Sequence, residues 1–312
     1  MKKRNKIQTA IATGRFTLPV VAIIVLFIWL ISMGPGTEVI NMLLFAATGY
    51  LLIELNTTFS LIRVRTTLHV SIYWIATSVC IFLHPFNASS FIPLLFTASL
   101  FFFLNSYEHA NPAPSIFSSA LFLSAASILF PYIIYYAPLL ILSMISFRCM
   151  NVKSILAALI GLATPYWFFF AYTFLTDNTD IFFLPFAEIT KISPMDFSKV
   201  GLGEIVTSIV ILSLSFICSI YYISSSYLDR IRSRASLTFI ILIELWGVVL
   251  WLLYPSTTVG IMQIQILCYS LLAGHFFAVN KNRFSNIFLI ITIICFIFLA
   301  VFNIWTQFFS FL

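Results

Sequence analysis

Long apolar runs separated by short polar turns make up almost the whole chain. A helix needs roughly 20 mostly apolar residues to cross a bilayer, and that ruler marks about eleven candidate spans. The first four run from about Thr17 to Met33, Val39 to Ile62, Thr67 to Leu83 and Phe91 to Asn105. A short pair follows, Ser115 to Phe130 and Pro131 to Phe147. Ser154 to Leu175 and Glu204 to Tyr227 come next, and Ala235 to Tyr254, Thr258 to Val279 and Ser285 to Phe309 complete the set. The pattern predicts an all-α polytopic transmembrane bundle, with residues 1–312 forming a single integral membrane domain.

The fifth and sixth spans share a stretch that is short for two crossings and too long for one. Ile128 to Tyr132 must hold a turn, with Pro131 ending one helix and Pro138 able to bend the next. Two thin, tightly paired helices and a re-entrant hairpin both fit. Ala120, Ser124 and Ser127 recur at helical spacing, which allows a neighbouring backbone to approach closely.

Composition agrees with the hydropathy pattern. Of 312 residues, 61% are hydrophobic and 8% charged, too few charges to cover a soluble core. The net charge of +6 does not point to nucleic acid, because the basic residues sit in clusters between apolar runs. With eleven spans and a cytoplasmic N-terminus, all of the 16 Lys and Arg except Lys191 and Lys199 fall on the inner side, and the C-terminus lies outside. The basic N-terminal stretch is read as the flank of a first span, because no small-residue cleavage site follows it. The expected location is the bacterial cytoplasmic (inner) membrane.

The segment Thr176–Gly203 is the longest outer loop, and Phe182-Phe183-Leu184-Pro185-Phe186 within it is too apolar to hang free in water. An anchor in the headgroup layer and a lid over the bundle mouth are the two readings.

Soluble-enzyme motifs are absent: there is no H-E-x-x-H, G-x-S-x-G, Walker loop or helix-opening G-x-G-x-x-G. The four histidines lack metal-binding spacing, and the five cysteines form no C-x-x-C pair, so neither a metal nor a cofactor is implied. The informative residues are ionisable groups at membrane depth, which are expensive to place there. Glu54, followed by Asn56, lies in the second span, Glu244 near the middle of the ninth, and His275 towards the inner end of the tenth. They can serve a proton or cation relay, contact a headgroup, or hold helices together. Arg63 and Arg65, at the inner interface, are candidates for lipid phosphate.

From the second to the seventh span, Leu55-Asn56, Arg63 to Leu68, the Phe117–Tyr136 run with its Leu129-Phe130-Pro131-Tyr132 turn, Phe147-Arg148 and Gly161 to Tyr166 follow one another. Together they resemble an uncharacterised multi-pass inner-membrane family of Bacteroidota, a domain of unknown function. The tight hairpin, basic turn and proline-ended span are also similar to GT-C-type polyprenyl-phosphate-sugar glycosyltransferases. That likeness implies a catalytic acid in the first outer loop, where Glu38 is the candidate.

The leading expectation is therefore an inner-membrane protein of envelope biogenesis that handles a lipid-linked or amphipathic substrate. Its partners would be membrane lipids, a lipid-linked glycan or another membrane protein. A proton-coupled secondary transporter using Glu54 or Glu244, and a non-catalytic scaffold for a partner complex, stand as alternatives.

Overall fold

The computed structural model describes residues 6–32, 38–190, 195–198 and 200–309. The turn Gly34–Gly36, the basic residues Lys2, Lys3 and Arg4, and Lys191 and Lys199 lie outside them. Among the described residues the chain is helical, with no strand. The helices are α1 (Lys6–Thr13), α2 (Thr17–Ser32), α3 (Glu38–Phe59), α4 (Leu68–Val79), α5 (Ile92–Asn105), α6 (Ala113–Leu129) and α7 (Ala137–Ser146). They continue with α8 (Val152–Leu175), α9 (Asp180–Ile189), α10 (Leu202–Ser225), α11 (Ile231–Leu253), α12 (Thr258–Val279) and α13 (Arg283–Phe309).

Seven helices among the described residues are long and apolar enough to cross a membrane, and four shorter apolar helices accompany them. The short ones include α4, which ends at Val79 and passes into a 3₁₀ turn over Ile81–Leu83. Such a helical apolar bundle is compatible with an integral membrane protein.

α12 is the hub, buried along its whole apolar length. A helix that is apolar on every face has no side to offer water and must be surrounded. Here α4, α10 and α11 enclose it, with α5, α13 and α1 completing the cage. α6 packs on α5 and α8, and it does so through the small residues: Ser124 Oγ donates to Gly161 O at 3.3 Å, and Ser127 Oγ and Tyr166 OH lie 2.7 Å apart.

Ser115–Phe147 folds as an outgoing and a returning limb. The Glu108 amide donates to Phe147 O at 3.2 Å, so the returning limb ends beside the start of the outgoing one. The return begins as a 3₁₀ helix over Pro131–Tyr136 and continues as α7. A 3₁₀ helix rises about 2.0 Å per residue, against about 1.5 Å in an α-helix. The return limb therefore reaches roughly 27 Å, matching the roughly 25 Å of α6. The two limbs do not form one slender pair: α7 leans on α11, while α6 leans on α5 and α8.

Polar contacts gather at two opposite ends of the bundle. At one end Gln8 Nε2 reaches Phe277 O and Ser285 Oγ, Ser233 Oγ donates to Ser60 O, and Arg148 pairs with Glu108. At the other, Asn41 Nδ2 reaches the carbonyls of Leu83 and His84, and the Met195 amide donates to Leu252 O. The aromatic segment Phe182–Phe186 belongs to the second end, where α9 packs on α8 and on the 3₁₀ limb.

Candidate functional site

The first end carries a large polar cleft, built from three chain reversals. α3 stops when Ser60 takes a left-handed backbone (φ 49°), and Asn56 Oδ1 then accepts from the Ile62 amide at 2.9 Å, pinning the Leu61–Thr67 loop under the helix end. Thr66 Oγ1 accepts from the Leu68 amide at 3.0 Å and donates to Ala12 O, tying that loop to the α1–α2 junction. The third reversal is the α10–α11 turn, held to the first by Ser233.

Between them lies a cleft of about 1220 Å³ lined by Arg15, Arg63, Arg65, Arg230 and Asp229. All four arginines are exposed. The Asp229 carboxylate is sunk into the wall, its side chain 4% exposed, 3.6 Å from Arg63 Nε and 2.9 Å from His275 Nε2. That last contact is close but off the ring's N–H line, a short polar contact and not an aligned hydrogen bond. Burial pushes the Asp229 carboxyl up, but His275 and then Arg63 outweigh it, and the net displacement is below the ordinary carboxylate value. Asp229 is therefore ionised at neutral pH, one fixed negative charge among four arginines.

On the floor, His69 Nε2 faces Leu52 O at 3.1 Å, while its Nδ1 has no hydrogen-bond partner. Leu18 and Pro19 of α2 and Ile53 of α3 form apolar side walls. Both helices lean on α4, and their rings meet farther along, Trp29 against Phe45 with centroids 6.0 Å apart. Leu18, Pro19 and Ile53 thus give the cationic cleft an apolar side between α2 and α3.

The three arginines of the α10–α11 turn part ways. Arg230 lines this cleft, Arg232 lies over the Phe59 ring at 5.1 Å, and Arg234 faces a separate hollow.

The structure brings together Arg63, Arg65 and Asn56 directly, and His275 through Asp229. It does not bring Glu244 to them. Glu244 is 5% exposed in the middle of α11, roughly 20 Å along the helix from Arg230 at about 1.5 Å per residue. Its Oε2 accepts from Ser219 Oγ at 3.3 Å, and its main-chain carbonyl accepts from Gln265 Nε2 at 3.1 Å. Ser215 Oγ lies beside the same carboxylate without hydrogen-bond geometry. His275 lies against Asp229 and not against Glu54 or Glu244. Glu54 is half-buried on α3 and outside the cleft lining, and Glu38 opens α3 at the far end of the bundle. At that position its charge favours the helix N-terminus.

Arg15, Arg230, Asp229 and His69 join the site without having been singled out in the sequence. The available signal was Asp229 itself, an acid directly before the basic run Arg230–Arg234. No family model, no curated protein and no solved structure matches the chain.

Proposed function

We propose that this is a polytopic protein of the bacterial cytoplasmic membrane that takes an anionic, lipid-linked or amphipathic substrate into the arginine cleft during envelope biogenesis. In this reading the seven long and four short apolar helices make eleven crossings, and the cleft end faces the cytoplasm. Positive residues favour that side, and the cleft end holds Arg15, Arg63, Arg65, Arg148, Arg230 and Arg234.

The observation that carries the reading is the shape and charge of the cleft. Arginines suit phosphate through planar, charge-assisted hydrogen bonds. The apolar side formed by Leu18, Pro19 and Ile53 suits an acyl or prenyl chain attached to it. Asp229 supplies an acceptor for a hydroxyl of the same headgroup. Opposite its cationic mouth, the aromatic segment at the far end serves as an interfacial anchor.

The test is the lipid profile of a deletion strain complemented with wild type or with Arg63→Gln/Arg65→Gln. Build-up of a lipid-linked phosphate precursor, cleared by wild type and not by the double variant, is the expected result. An unchanged profile in the deletion strain would overturn the proposal.

A further inference from the structure

Arg234 opens onto a second hollow at the same end, on the other side of the α10–α11 turn. It holds about 490 Å³ between α7, α10 and α11 and is lined by no residue of the first cleft. Its rim is cationic. Arg148, at the end of the return limb, stands on a left-handed backbone (φ 51°), and its Nη1 is steered by Glu108 at 2.9 Å. A guanidinium has five donors, so this one bond leaves Arg148 able to hold an anion as well.

Beneath the rim the lining is mixed. Tyr107, Ser226 and Thr238 are polar, whereas Ile231 at the start of α11, Ile223 near the end of α10 and Leu242 are exposed apolar residues, the last roughly 16 Å along α11 from Ile231 at about 1.5 Å per residue. The Tyr222 hydroxyl is buried without a hydrogen-bond partner, and Tyr222 lines the hollow while its ring stands edge-on to His275, with centroids 5.1 Å apart. The two arginines thus lie at the basic end of the bundle, and the exposed apolar surface runs from beside them, at Ile231 and Ile223, toward the middle at Leu242. That is the order of headgroup and chain in a bilayer lipid.

We infer that the hollow between α7, α10 and α11 binds an anionic glycerophospholipid, with Arg148 and Arg234 on its phosphate and the chains along Ile223 and Leu242. A free phosphate would satisfy the arginines but leave the apolar wall uncovered. The inference does not depend on the first cleft, because the two sites share no residue.

Native mass spectrometry of the full chain in detergent, titrated with dioleoylphosphatidylglycerol or with glycerol 3-phosphate, tests it. Arg63→Gln/Arg65→Gln serves as the background, so that the first cleft does not mask the result. Adding Arg148→Gln and Arg234→Gln should weaken retention of the lipid roughly 30-fold, the effect of two interfacial cations. Thr238→Trp, at an exposed position, should fill the hollow and displace the lipid with both charges intact, and it decides the matter if the charge variant fails to fold. Undiminished lipid retention in a folded variant overturns the site. Equal retention of glycerol 3-phosphate overturns the lipid assignment.

Discussion

Asp229 and His275 meet across the bundle end with a carboxylate oxygen 2.9 Å from Nε2, both side chains 4% exposed. One belongs to the α10–α11 turn and the other to the buried hub α12, so the contact fixes the cleft wall to the core. Removing the carboxylate leaves a buried imidazole facing a neutral group. A buried polar contact of this kind contributes about 1 kcal/mol. Asp229→Asn is expected to lower the detergent melting temperature by several degrees, and an unchanged melting point would show that the pair carries no stability.

The same pair sets a pH dependence. A carboxyl held below its ordinary value contributes stability that is fully present above the ordinary 3.8 and lost as pH falls through the lower folded value. Wild type should therefore exceed Asp229→Asn in stability at pH 5. Below about pH 4 the two should converge. Melting curves across that range check it, and a margin that instead grows in acid would reverse the assigned sign.

Binding at the first cleft should follow its charge. On the proposed reading each of the two arginines contributes about 1 kcal/mol toward an anionic headgroup, so Arg63→Gln/Arg65→Gln should weaken binding of a short-chain phosphatidic acid roughly 30-fold. The salt dependence should flatten with it, because fewer charges remain to be screened. Isothermal titration at two ionic strengths measures both effects.

Glu244 distinguishes the transport alternative from a packing role. An amide oxygen can accept from Ser219 as the carboxylate does, so Glu244→Gln should change stability by less than about 1 kcal/mol and still complement the deletion strain. Loss of pH-dependent uptake in this variant, with folding intact, would instead support proton-coupled transport.

Gly161 tests the α6–α8 seam. A Cβ there would stand 2.6 Å from Phe117 O and 2.9 Å from the Ala120 Cβ, whereas at Gly201 the nearest atom is 3.6 Å away. Gly161→Ala should destabilise by about 1–3 kcal/mol, with Gly201→Ala tolerated. Equal melting temperatures for the two would mean that the seam gives way freely.

Much of the framework was legible in the sequence because apolar length and basic punctuation are local signals. Arg63 and Arg65 could be placed at one end of the bundle from their cluster alone, and Ala120, Ser124 and Ser127 announced a close helix contact. The Asp229–His275 contact had no local signature, since its members lie on separate elements and only the packing of α10, α11 and α12 joins them. The facing of Glu54 was hidden for a different reason. α3 is apolar on nearly every side, so its sequence carries no phase from which to read an inward face. The double reversal at Ser115–Phe147 was countable but not measurable, because residue number gives length only when the winding is known.

Winding in the return limb has a mechanical consequence. Six residues at three per turn complete two full rotations, whereas the same six at 3.6 per turn fall about 120° short. Rewinding Pro131–Tyr136 as α-helix would turn α7 by a third of a revolution and draw it up by about 3 Å. Leu140 and Met144, now buried, would leave their places, and Arg148 would swing away from Glu108. The tight segment thus acts as a screw thread, setting by its pitch both the depth and the bearing of the arginine at the limb's end.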